Sequence, residues 1–207
     1  MRIALLVEGK TEIAFLPSLR VFLGQHLGGN MPKLDAVPFD GRIPTGPKLR
    51  RLVEQLLKDR HKPADHIIAL TDVYTGTQPP VFPTAASAKD QMREWVGQEP
   101  RFHPHVALHD FEAWLLPYWP AIQRLAGHNQ AAPNPAFNPE MVDHDHPPAR
   151  RIQDIFRIGK CRAHYVKPRD AARILRDSDL SVAVSKCSEL KALVNTIIAL
   201  CGGKVIP

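Results

Sequence analysis

Strand-length apolar runs alternate with stretches of helical period through the first 108 residues, and this alternation restricts the chain to a narrow set of α/β architectures. Residues 2–7 form a continuous apolar run. From Lys10 to about Leu27 the apolar positions Ile13, Phe15, Leu16, Leu19, Phe22 and Leu23 fit helical spacing better than strand spacing. A short strand at 34–39 precedes a helix at 46–60 that carries Leu49, Leu52, Val53, Leu56 and Leu57 on one face. Residues 65–70 predict a third strand, 85–96 a helix and 102–108 a fourth strand. Strands separated by helices pair in parallel through right-handed crossovers. The expected fold is therefore α/β, a doubly wound, mainly parallel sheet with helices on both faces, and its ligands should lie beyond the carboxyl ends of the strands.

After Trp119 the pattern changes. The expected organisation is an α/β core over residues 1–125, a loop or insertion rich in Pro, Asn and His over 126–148, and a helical C-terminal part over 149–207 packed on the core. Within that last part, Pro147-Pro148 starts a helix running to about Arg157. Pro168 stands in the first turn of another over 169–177, and 187–200 forms a third, stopped by Gly202-Gly203. A chain of 207 residues buries roughly two-thirds of its unfolded surface without staples.

Cys161, Cys187 and Cys201 are an odd number without a C-x-x-C pair, which excludes a disulfide framework and a structural zinc site. They read as buried free thiols. The apolar run at 3–7 is stopped by Glu8 and is too short for a signal-peptide core. No later stretch approaches the ~20 apolar residues of a membrane span, so the protein is expected to be cytoplasmic. A net charge of +6 attracts polyanions, although the basic residues come in small groups such as 48–51, 150–151 and 160–162 rather than in one tract.

The chemistry-bearing residues sit where strands end. Val7-Glu8-Gly9-Lys10-Thr11-Glu12 passes from strand to helix, so Glu8 stands at the strand's carboxyl end and Glu12 one turn on, both able to face one site. Gly9 is expected to let the backbone turn sharply beside a ligand, and the N–H groups at a helix start suit a phosphate. Glu12 is also explained as a favourable charge in the first helical turn. Asp72 closes the third strand and so reaches the same edge, although an Asp there also serves as a turn cap. At the end of the fourth strand, His109-Asp110-Phe111-Glu112 supplies Glu112, expected to share a helical face with His109 while Phe111, Trp114 and Leu115 face the core. Carboxylates from several strand ends with little histidine match magnesium better than zinc. Asp143-His144-Asp145-His146 is a weaker metal candidate in a Pro-rich loop, and His103 and His105 share a strand face without a third ligand.

Taken together, Leu5-Leu6-Val7-Glu8-Gly9-Lys10-Thr11-Glu12 and Ile67-Ile68-Ala69-Leu70-Thr71-Asp72-Val73-Tyr74 resemble the TOPRIM domain of topoisomerases, primases and OLD-family nucleases. With His109-Asp110-Phe111-Glu112, Lys167 and Cys187-Ser188-Glu189-Leu190, the chain is similar to a bacterial TOPRIM-like family related to the OLD nucleases. The resemblance implies that Glu8 is a general acid/base or metal ligand, that the second motif binds magnesium, and that a late lysine, here Lys167, stabilises developing negative charge. Tyr74 stands where that motif has its second Asp. Mg²⁺ or Mn²⁺ is then left to Glu8, Glu12, Asp72 and Glu112, with Gly9, Lys10, Tyr74 and His109 assigned to the substrate. Lys160, Lys186 and Lys191 rival Lys167, which also reads as an ordinary surface lysine.

The resemblance further implies metal-dependent cleavage of nucleic acid, DNA ahead of RNA, in defence against phage beside a partner ATPase. A second reading is a non-catalytic partner or sensor module of an ATPase complex. Action on a small phosphate compound is a third, although no G-x-x-x-x-G-K-[ST] loop is present. A homo-oligomer stays open.

Overall fold

The computed structural model describes residues 1–73, 82–129, 138–141, 146–161 and 164–207. Four parallel strands, β1 (Arg2–Val7), β2 (Lys33–Pro38), β3 (His66–Asp72) and β4 (Phe102–Ala107), form a sheet in the order β2-β1-β3-β4. The connecting helices are α1 (Lys10–Leu27), α2 (Gly46–Leu57) and α3 (Ala85–Val96). The start of α3 is fixed by Thr84, whose hydroxyl accepts the Ser87 N–H at 3.0 Å. Its end is fixed by Gly97, left-handed at φ 84°, whose N–H returns to the Arg93 carbonyl at 3.0 Å.

Side chains alternate across each strand, and the two resulting cores explain the helices on both faces. Ile3, Leu5 and Val7 face α1 and the C-terminal helices, whereas Ala4 and Leu6 face α2 and α3. The first core also takes in a 3₁₀ helix, Phe111–Tyr118, and the helices α4 (Trp119–Ala126), α5 (Pro148–Ile158), α6 (Lys167–Arg176), α7 (Leu180–Lys186) and α8 (Ser188–Leu200). The short helices α4 and α7 go beyond the sequence expectation, because each offers too few turns to establish a period. No helix among the described residues is long and apolar enough to cross a membrane.

Two expectations are corrected here. The three thiols are free, yet only Cys187 is buried, Cys161 being exposed and Cys201 intermediate. Residues Phe111 to Leu116 are all buried, including Ala113 and Glu112, so no single core-facing stripe exists there; a 3₁₀ turn wedged between sheet and helices packs on every side.

Where α4 and α5 end, two glycines let the main chains touch. A Cβ on Gly159 would stand 1.9 Å from the Ala126 carbonyl oxygen, which is backbone and cannot swing aside. Gly159→Ala is therefore expected to cost about 3 kcal/mol by overpacking, read as a lowered denaturation midpoint in urea with unchanged slope.

Beyond the end of the 3₁₀ helix, one buried carboxylate joins three parts of the chain. Glu140 is 1% exposed and accepts the indole N–H of Trp114 at 3.1 Å, the Ser188 hydroxyl at 2.8 Å and the Glu189 N–H at 3.0 Å. Its charge lies at the start of α8, where the helix dipole favours an anion. Glu189 in turn meets Lys89 of α3 at 2.5 Å.

Candidate functional site

Parallel register brings the strand ends to one edge. Val7 is level with Leu70, and Asp72 with Ala107, so Glu8, Asp72 and residues 108–110 emerge side by side. The helices that follow β1 and β3 leave to opposite faces of the sheet. The crevice at such a switch is the usual ligand position in open α/β sheets.

Glu8 is half-buried. Its Oε1 accepts the Thr71 hydroxyl and, at 3.3 Å, the Asp72 N–H, which ties the end of β1 to the end of β3. Glu12, 7% exposed, reaches back from the first turn of α1 to accept the Gly9 N–H at 3.0 Å. The helix-stabilising role of Glu12 is thus present, and its charge also bears on Glu112 and Lys167.

On the far side of the crevice Glu112 is 1% exposed. Lys167 Nζ donates to its Oε2 at 3.1 Å, and the Tyr165 hydroxyl donates to its Oε1 at 3.4 Å. Lys167 opens α6, and the buried Asp170 one turn on accepts the Val166 N–H at 2.8 Å, holding the approach to that lysine. Of its rivals, Lys191 donates to the Pro207 carbonyl at 2.7 Å instead.

The sequence reading passed over Asp110. It is buried; its Oδ2 accepts the Ala149 N–H at 3.2 Å, while its Oδ1 has no hydrogen-bond partner among the described residues. Its only sequence signal was its place at a strand end just before a helix, which an ordinary N-cap also explains.

Electrostatics bind these groups into one unit. Burial raises the proton affinity of Asp72 well above that of a free carboxyl, and the charges of Glu8, Asp110, Glu112 and Glu12 raise it further. Burial likewise pushes up Glu8, an effect partly offset by the Thr71 hydroxyl and increased by Glu12. Glu12 is raised by burial and then by Glu112, and Asp110 by burial and then by Glu112, with Lys167 opposing in both cases. Burial works against the charge of Lys167, yet Glu112 and Asp110 outweigh it, so the ammonium holds its proton more tightly than usual. The edge carries more negative charge than Lys167 offsets.

Several expectations about this region change. Gly9 has φ −172°, extended backbone open to any residue, and a Cβ there would meet nothing nearer than Glu12 Oε2 at 3.8 Å; no sharp turn requires glycine. His109 is buried at φ 72° in the link before the 3₁₀ helix, and so does not share a helical face with Glu112. Lys10 is exposed on the first turn of α1. Tyr74 and 143–145 lie outside the described residues, while His146 approaches Asp154 at 3.3 Å. His103 meets His66 at 3.2 Å, and burial lowers the pKa of His105 to about 3. Among the described residues no three Asp, Glu, His or Cys side chains form a ready-made cation-binding group.

A parallel sheet in the order β2-β1-β3-β4, wrapped on both faces by helices, is a doubly wound α/β fold. The chain belongs to the family described as "Domain of unknown function (DUF4276)", which matches residues 7–198. Among solved structures it is similar to the C-terminal region of the Burkholderia pseudomallei OLD protein, with a TM-score of 0.55 and 14% identity over 97% of this chain and 98% of that one. It is also similar to the C-terminal region of the Xanthomonas campestris pv. campestris OLD protein, with a TM-score of 0.50 and 15% identity over 97% and 96% of the two chains. At these identities the likeness is one of fold. No curated protein matches the sequence.

Proposed function

We propose that this protein is a metal-dependent nuclease that cleaves phosphodiester bonds of nucleic acid, working beside a partner ATPase in defence against phage. The observation that carries the reading is the crowding of Glu8, Glu12, Asp72, Asp110 and Glu112 against Lys167 at the switch between β1 and β3. The OLD-like fold supports it.

The donor chemistry fits a hard divalent cation: every candidate ligand is a carboxylate oxygen, and Asp110 Oδ1 is buried without a hydrogen bond among the described residues. Glu8 and Asp72, on adjacent strand ends, are the assigned ligands, with Glu12, Asp110 and Glu112 completing the negative shell. Mg²⁺ or Mn²⁺ would supply charge neutralisation and an acidified water. Glu8, its proton affinity raised by burial above that of a free carboxyl, is suited to proton transfer at the attacking oxygen. Lys167 keeps its charge and is placed to offset the charge that develops on the phosphate.

The test is cleavage of labelled plasmid, single-stranded DNA and RNA with Mg²⁺ or Mn²⁺, with and without a neighbouring ATPase. Cutting should need the metal and fall by about 10²–10³-fold in Glu8→Gln. Cutting that survives this change overturns the assignment of Glu8. If nothing is cut under any condition while the ATPase is still bound, the protein is a non-catalytic partner module.

A further inference from the structure

Helix α6 starts at Lys167 and leads away from the crevice, carrying Arg169, Arg173 and Arg176 at spacings of four and three residues, hence on one face. Near its far end Arg173 and Arg176 meet Arg124 of α4 across a cleft of about 230 Å³. Asp177 is the one carboxylate among the lining residues, and Ala121 and Leu125 complete the wall. Arg173 also stands 3.7 Å from Asp170 Oδ1, but that carboxylate is already held by Arg169 at 3.0 Å and by the Val166 N–H at 2.8 Å. Arg173 Nη1 is buried without a hydrogen-bond partner among the described residues. Three guanidinium groups gathered around so little counter-charge repel one another, and a buried guanidinium donor left without an acceptor costs free energy. A phosphate oxygen answers both, and guanidinium is the side chain best shaped to receive it.

We propose that Arg124, Arg173 and Arg176 form a phosphodiester-binding cleft that holds the substrate backbone upstream or downstream of the scissile bond. The proposal rests on the nuclease reading for its substrate. With a helical rise of 1.5 Å per residue, Arg173 and Arg176 lie ~9–14 Å along α6 from Lys167.

The test is binding of a fluorescently labelled 20-nucleotide single strand by anisotropy, in metal-free buffer, over a range of salt. Arg124→Gln/Arg173→Gln/Arg176→Gln should weaken binding at least tenfold at low salt and make the log–log salt dependence shallower by about 2. A matched triple on α2 and the residue that ends it, Lys48→Gln/Arg51→Gln/Lys58→Gln, removes the same charge from the opposite face of the sheet and should change affinity less than threefold. If the first triple misfolds, Arg124→Gln/Arg176→Gln alters only exposed side chains and should flatten the slope by about 1.4. Equal losses in the α6 and α2 triples reduce the effect to general attraction and overturn the cleft. Should inorganic phosphate raise the melting temperature of the wild type but not of the triple while strand binding is untouched, the cleft is a small-anion site and the backbone assignment falls. A triple that binds and cuts nucleic acid as well as the wild type does overturns the cleft alone; a wild type that binds no strand and cuts none of plasmid, single-stranded DNA and RNA with metal and ATPase overturns the nuclease reading with it.

Discussion

Asp72→Asn is expected to reduce metal-dependent cleavage by about 10²–10³-fold and, at neutral pH without metal, to raise the melting temperature. Both effects come from one cause. Asp72 is driven to a high proton affinity first by burial and then by Glu8, Asp110, Glu112 and Glu12. A carboxyl whose affinity is raised on folding contributes stability that is fully present below its unfolded pKa and is lost as pH rises through its folded value. The wild type should therefore gain thermal stability as pH is lowered from neutral toward the ordinary carboxyl range, and Asp72→Asn should show a smaller gain. Magnesium at a hundredfold excess over its dissociation constant should add about 2.7 kcal/mol to the wild type and much less to the variant. Calorimetry over pH with and without Mg²⁺ reads all of this. A variant less stable than wild type at pH 7, together with a wild type that magnesium leaves unmoved, would show that the repelling carboxylates are not what the cation relieves.

The second large effect lies away from the crevice. Glu140→Ala should destabilise the fold by about 4 kcal/mol, because three donors lose a buried acceptor at ~1–3 kcal/mol each and part of that loss is recovered by relaxation. Those donors are the Trp114 indole, the Ser188 hydroxyl and the Glu189 N–H. Glu140→Gln keeps one acceptor oxygen and should lose about half as much. Trp114 reports the change directly, since losing its hydrogen bond should alter the indole emission of the folded protein. Equal denaturation midpoints for wild type and Glu140→Ala would mean that 138–141 is not tied to α8 as described.

Glu140 also marks the limit of what the sequence made legible. Residues 126–148 offer no period, and a carboxylate whose partners are 26, 48 and 49 residues away leaves no local signature. The strand ends were a different matter, because β1 and β3 declare themselves by apolar runs that stop on Glu8 and on Thr71-Asp72. In a parallel sheet all such stops fall at one edge, so Glu8 and Asp72 could be placed together without a single contact being known. Lys167 could not be separated from Lys160, Lys186 and Lys191 by local pattern, since what singles it out is Glu112 lying 3.1 Å away across the chain. His109 was misread because its left-handed backbone delays the helix by two residues, and the modest enrichment of histidine in that conformation is too weak a signal to place it.

The lysine enters from the last third of the chain, and that order matters during synthesis. The sheet is complete once Ala107 has emerged and its carboxylates once Glu112 has, but α6, which packs on α1 through Ser18 and Leu175, has still to be made. At about 5–20 residues per second, the ribosome exposes an acidic edge for several seconds before Lys167 arrives to complete it. A nascent chain thus carries the acidic edge before it holds the lysine that pairs with Glu112, and a message interrupted between these points yields a product without the paired centre.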